Sequence, residues 1–328
     1  MRFRSREGGS DQRCRLFYAS DIHGSDRCFR KWVNAARVYQ VDALVFGGDV
    51  AGKIVVPIVR FSDDRHVVEM HGRTLELAAG EELEAVRSQI RASGRYDVVL
   101  GPDEKRRFDQ SPELVASELF PSAMRQSVRS WLRLAEERLE AAGVPAFVML
   151  GNDDYPELAG LLDGKWLRYV EEQVVELPGG FEMISLGYSN RTPWDSPREL
   201  DDDELGARVE ALAEQLKDPG QAVFNLHCPP HGTHLDQAAL LDDQFRPRSE
   251  GGQVLTGPVG SAAVRRLIER YQPLLGLHGH IHESPGAQRL GRSFVLNPGS
   301  EYGDGVLRGA LITLDRGKGV RSWQLVQG

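Results

Sequence analysis

The chain of 328 residues is long enough for one large α/β domain carrying an insertion, or for two modest domains, with a sizeable core in either case. Hydrophobic residues at 41% and charged residues at 27% are the proportions of a folded globular chain and exclude disorder as its main state. A formal net charge of -8 offers no general attraction to a phosphate backbone, which counts against long nucleic acid as a partner.

Residues 1–13 are polar, lack an apolar signal-peptide core and read as a flexible tail ahead of a domain spanning 14–328. No apolar run reaches the length needed to cross a bilayer. Cys14, Cys28 and Cys228 form no CxxC pair and no even framework, the usage expected of free thiols in a reducing, cytoplasmic setting.

The first apolar run, 15–20, predicts a buried strand that stops on Asp21-Ile22-His23-Gly24. In extended backbone, positions i and i+2 share a face, which would bring a carboxylate and an imidazole to one point beyond the strand. Ser25 then caps a helix whose Phe29, Trp32, Val33 and Ala36 recur at helical spacing to about Tyr39. A second strand at 43–46 ends on Gly47-Gly48-Asp49, so the three elements form a βαβ unit with parallel strands and neighbouring carboxyl ends.

From about 52 to 110 the texture changes. Apolar segments flank Ser62-Asp63-Asp64 as in a hairpin, 81–91 is helical in pattern and 96–100 strand-like; we read the stretch as an insertion or cap. Pro112 and Pro121 suit the first turns of successive helices. Met124, Val128, Trp131, Ala135 and Leu139 make a core-packing stripe that Gly143 and Pro145 terminate.

The strand 146–150 ends in Gly151-Asn152-Asp153-Asp154. Pro178-Gly179-Gly180 marks a hairpin, 188–199 a polar and aromatic loop containing Arg191, and 201–216 an acidic amphipathic helix. The strand 222–226 runs into His227-Cys228-Pro229-Pro230-His231, with His234 in the loop beyond. After a helix at 259–271, the strand 274–277 ends in His278-Gly279-His280-Ile281-His282. Strand-like runs at 294–296, 310–314 and 320–326 follow, the first closed by the turn Asn297-Pro298-Gly299-Ser300.

Five strands thus end on ligand-type side chains: Asp21 with His23, Asp49, Asn152, His227, and His280 with His282. Sites in open α/β sheets lie beyond the carboxyl ends of the strands, so these seven groups should meet in one crevice. Seven nitrogen and oxygen donors exceed the four of a closed zinc site, and a carboxylate such as Asp49 can bridge two cations. Imidazole mixed with carboxylate favours Mn, Fe, Zn or Ni over Ca or Mg. Cys228, directly after a ligand-type residue, falls on the opposite face of an extended segment and belongs to the core.

In this order, Asp21-Ile22-His23, Gly48-Asp49, Gly151-Asn152, His227 and Gly279-His280-Ile281-His282 closely resemble the motifs of the calcineurin-like metallophosphoesterases, over residues 15–300. The resemblance implies a four-layer αββα sandwich of two mixed β-sheets flanked by helices. It implies two metal ions, one held by Asp21, His23, Asp49 and His282, the other by Asp49, Asn152, His227 and His280, with a shared water or hydroxide as nucleophile. The implied activity is hydrolysis of phosphodiesters or related phosphate esters of small molecules or nucleotides. Phosphomonoesterase, nuclease and non-catalytic scaffold are the alternatives. Where many members carry a histidine after the asparagine, this chain has Asp153, so the usual general acid is absent or replaced. His231 and His234 are candidate substitutes, and Asn152 and Arg191 candidate substrate contacts.

Overall fold

The structure is a computed structural model describing residues 12–242 and 244–328. Most of the predicted tail lies outside the described residues; Arg13, placed in it by composition, instead opens the first strand and pairs with Asp315 across the sheet.

The first strand, Arg13–Ala19, shows why the molecule is layered. Leu16 and Tyr18 point one way and Phe17 and Ala19 the other, and all four are buried. A strand with two apolar faces must lie between two layers. On one side Phe17, Ala19, Leu44 and Phe46 meet Phe29, Trp32, Met124, Val128 and Trp131 of the helices Asp26–Val38 and Phe120–Ala142. On the other, Leu16, Tyr18, Val45 and Phe147 meet Phe181, Met183, Val223 and Leu275 of a second sheet. That sheet's outer face packs Ile184, Phe224 and Val295 against the helices Asp202–Ala213 and Ala262–Tyr271. This is the expected αββα sandwich.

The first sheet has the order Gly319–Gln327, Arg308–Asp315, Arg13–Ala19, Ala43–Gly47, Ala146–Met149, Leu167–Tyr169. The second has the order Gly286–Leu290, Ser293–Asn297, Leu275–Leu277, Val223–Leu226, Phe181–Leu186, Val174–Leu177. Within each, the central strands are parallel; antiparallel strands close both edges of the second sheet and one edge of the first, whose other edge strand, Leu167–Tyr169, is parallel. The right-handed βαβ register, with Leu16 opposite Ala43, sets the carboxyl ends side by side.

Between the second and third parallel strands of the first sheet, residues 54–100 form a four-stranded sheet, Arg73–Ala78, Arg65–Met70, Ile54–Arg60, Arg95–Leu100. Its core of Val56, Ile58, Val68, Met70, Leu77 and Ile90 is closed by the helix Glu81–Ala92. The hairpin at Ser62-Asp63-Asp64 is present, with Val59 opposite Val67. Ser25 caps its helix by accepting the Cys28 N–H, and Gly143 ends the long helix with φ +66°. No helix among the described residues is long and apolar enough to cross a membrane.

Candidate metal centre

The seven ligand-type residues arrive at one place. Asp21 and His23 follow the first strand, Asp49 the second and Asn152 the third, all in the first sheet; His227, His280 and His282 follow two strands of the second. Ligand atoms of Asp21, His23 and His282 all lie within 4.8 Å of one another, as do those of Asp49, His227 and His280. Each trio draws on both sheets.

The means of convergence differs from strand alternation. Asp21 (φ 57°), His23 (φ 40°), Asp49 (φ 55°) and His280 (φ 67°) are left-handed residues in the turns beyond the strands. A non-glycine residue there costs roughly 1–2 kcal/mol, and such outliers gather at functional sites. The sequence did not show this, because Asp and His are enriched at positive φ yet adopt it at only a small fraction of their positions.

The turns are tied to one another. Asp21 accepts the His280 N–H through both carboxylate oxygens at 3.1 Å, and Ser300 Oγ donates to the Asp21 carbonyl at 2.6 Å. Asn297 Nδ2 donates to the Ile281 carbonyl at 2.8 Å while its Oδ1 accepts the Gly299 N–H, so the Asn297–Ser300 turn braces the histidine loop. Gly48, at φ +103°, has no room for a side chain: a Cβ would lie 2.7 Å from Gly151 Cα and 2.8 Å from His227 Nδ1. Asp154, undistinguished in the sequence, is fully buried and accepts the N–H groups of Val50, Ala51 and Gly151, linking the Asp49 and Asn152 turns. Arg198 holds the Asn152 turn from outside. Its N–H donates to the Asn152 carbonyl and its guanidinium to that of Gly151, while Glu171 balances its buried charge.

Electrostatically the pocket is a nest of buried carboxylates facing imidazoles. Asp49 Oδ2 lies 3.5 Å from His23 Nε2 and 3.4 Å from His227 Nε2, and Asp21 Oδ1 lies 3.4 Å from His282 Nε2. Asn152 Oδ1 approaches His227 Nε2 at 3.0 Å. Burial opposes a charged His227, but the adjacent Asp49 carboxylate overrides it and pushes the imidazole up to about 10. Burial, with His227 beside it, takes His280 down to about 4. Asp49 is itself held below the usual carboxylate range: burial opposes its charge, and the His227 and His23 charges outweigh that. Burial and the Asp49 charge push Asp154 up to about 7 against its three N–H donors.

This donor set fits divalent cations. His23 Nε2 and His282 Nε2 face each other at 3.1 Å, where at most one can donate, and buried His23 Nδ1 has no hydrogen-bond partner. Buried carboxylates need a positive partner, and protons on the imidazoles or cations between them supply it. Cys228 contributes nothing: its thiol donates to Asn190 Oδ1 and burial pushes it up to about 12. A cation taken up at His227 would displace the proton that the Asp49 carboxylate favours there. Affinity for Mn²⁺ is expected to rise about tenfold per pH unit for each proton displaced, below pH 10. Calorimetry in two buffers of different ionisation enthalpy should show proton release; a pH-independent affinity would contradict the assignment.

Other sequence candidates lie elsewhere. Arg191 pairs with Asp201 on the surface at 3.1 Å. His231 Nδ1 sits 3.8 Å from Asp236, and His234 is exposed; neither joins the metal-type clusters found among the described residues. Asp153 does come close, within 4.8 Å of His23 and Asp49 ligand atoms, and its N–H donates to Asp49 Oδ1 at 3.0 Å.

No family model matches the sequence. The uncharacterized protein MJ1162 of Methanocaldococcus jannaschii is 27% identical over 151 residues, covering 45% of this chain and 61% of the relative. TT1561 of Thermus thermophilus is a solved structure 16% identical, with a TM-score of 0.51 over 96% of this chain and 98% of its own. A looser likeness, at a TM-score of 0.32 and 10% identity, reaches an archaeal phosphodiesterase over 96% of this chain and 99% of that one. Two mixed sheets packed face to face, flanked by helices and ending in the Asp-x-His, Gly-Asp, Gly-Asn, His and Gly-His-x-His turns, are the αββα arrangement that the motif resemblance to the calcineurin-like metallophosphoesterases implies.

Proposed function

We propose that the protein is a metal-dependent phosphoesterase acting on phosphodiesters or related phosphate esters of small molecules or nucleotides. The observation that carries this reading is the pair of trios, Asp21/His23/His282 and Asp49/His227/His280, side by side with Asp49 between imidazoles of both. Asp21, His23, Asp49 and His282 would hold one cation and Asp49, Asn152, His227 and His280 the other. A bound pair of cations of the Mn, Fe, Zn or Ni type supplies Lewis acidity, a water of lowered pKa and charge neutralisation at the phosphoryl oxygens.

The chain's own contribution is position. Asp49 is set between the two imidazole groups, and the braces from Asp154, Asn297 and Ser300 fix the turns before substrate arrives. Burial of the first-sheet donors keeps bulk water from them. The four-stranded sheet at 54–100 meets the site where Gly52 N–H donates to the Tyr96 hydroxyl; we assign it the role of a cap that selects small substrates. Three buried free cysteines favour a reducing, cytoplasmic compartment.

Among the described residues no imidazole outside the two trios stands at the site as a general acid, so rates should depend steeply on the leaving group. With Mn²⁺, p-nitrophenyl phosphodiesters are expected to turn over on the order of a hundredfold faster than alkyl diesters, within the usual span of general-acid effects. Chelation should abolish both activities. Equal rates with chemistry limiting would contradict the missing acid, and full activity after chelation would contradict the function.

A further inference from the structure

Asp153 is placed to hold a cation at the mouth of the site. One carboxylate oxygen pairs with the Lys53 ammonium and lies 4.0 Å from His23 Nδ1, while the other accepts from Ser196 Oγ at 2.6 Å. The Asp153 N–H is bound to Asp49. The carboxylate is therefore fixed from three sides, with its side chain only 14% exposed, whereas Lys53 remains 55% exposed. The backbone leading to Lys53 is equally constrained, because Val50 and Ala51 donate to Asp154 and Gly52 to Tyr96. An ammonium group thus stands within one carboxylate's width of the imidazole–carboxylate cluster, with part of its surface open to solvent.

Three acidic side chains, Asp21, Asp49 and Asp153, line this pocket, and a phosphate ester approaching them carries negative charge of its own. Arg191, the other candidate phosphate contact, is engaged with Asp201 on the surface. We propose that Lys53 is the substrate-phosphate contact of this site, and that Asp153 and Ser196 are positioning residues that hold it there. A lysine suits the task, since its ammonium is a compact charge on a flexible stem that can turn from Asp153 to a phosphoryl oxygen without leaving the pocket. Asp153 then does by orientation what it cannot do by donating charge.

The inference rests on the phosphoesterase reading, and the test separates the two. Inorganic phosphate binding to the Mn²⁺-loaded protein is measured by calorimetry, independently of turnover, alongside metal content and steady-state kinetics on bis-p-nitrophenyl phosphate. Lys53→Ala is expected to weaken phosphate binding about tenfold or more and raise KM similarly, with metal content unchanged and kcat changed less than KM. Lys53→Arg should restore most of the affinity, and Ser196→Ala should weaken it by a smaller factor. Lys53→Ala with phosphate affinity within twofold of wild type overturns the inference, even if the protein is an active esterase. Loss of phosphate binding in Lys53→Ala, beside a wild type that binds phosphate but hydrolyses no ester, would uphold the contact and refute the activity.

Discussion

Asp49→Ala is expected to lower metal-dependent hydrolysis at least about a thousandfold, roughly 4 kcal/mol of transition-state stabilisation at 1.36 kcal/mol per decade. Asp49 Oδ2 is the carboxylate atom facing imidazoles of both trios, 3.5 Å from His23 and 3.4 Å from His227. Removing it takes a shared donor from both proposed cation sites and also frees the Asp153 N–H that it accepts. Metal content measured by mass spectrometry should fall from about two ions per chain to one or fewer, while circular dichroism stays native-like. His227 would lose the charge that pushes it up to about 10, so the pH dependence of metal uptake should flatten in the variant. An Asp49→Ala protein with full metal content and wild-type turnover would refute the bridging assignment.

Asp154→Ala acts on the frame that carries the ligands. Its carboxylate accepts three buried N–H groups, from Val50 and Gly151 through one oxygen and from Ala51 through the other. Each buried donor left unsatisfied costs about 1–3 kcal/mol, and with some relaxation the variant should lose roughly 3 kcal/mol of stability. The Asp49 and Asn152 turns would then be joined less firmly, and metal affinity is expected to fall about 10–100-fold, the usual penalty for removing a group that orients a ligand. Asp154→Asn, with one acceptor where two are needed, should fall between. Chemical denaturation and metal titration give the two readouts. A variant unaltered in both would show that water replaces the carboxylate without loss.

The layered architecture was legible because the strands announce themselves: 15–20, 43–46, 146–150 and 222–226 are short, mostly apolar runs bounded by turn residues, the composition expected of a strand buried on both faces. Their polar ends located the site for the same reason. Local backbone was less legible. Positive φ at Asp21, His23 and Asp49 is imposed by hydrogen bonds from the neighbouring turns, such as Asp21 N–H to Gly48 carbonyl at 2.9 Å and His23 N–H to Asp49 carbonyl at 3.0 Å. Those contacts are long-range and leave no periodic trace. Lys53 and Ser196 were invisible as site residues because they stand in segments without a motif and reach the centre only through Asp153. Asp154 could have been suspected, since a second aspartate directly after a ligand turn has backbone N–H groups within easy reach. Residues 102–110, where the charged sequence suggested only the end of an insertion, form a helix that Pro102 opens, a position proline favours.

Because each trio takes donors from both sheets, the centre exists only after the two halves of the sandwich have met. The donors run from Asp21 to His282, so a ribosome must deliver the chain as far as His280 or His282 before either set is complete. Cation capture would then be among the last events of maturation, and it would act across the seam between the sheets as a non-covalent rivet. By mass action, cations at a hundred times their dissociation constant would add about 2.7 kcal/mol per site against separation of the two halves. The apolar seam of Leu16, Tyr18, Phe147, Phe181 and Met183 joins the sheets without them, and the cations would add their grip where the strands end.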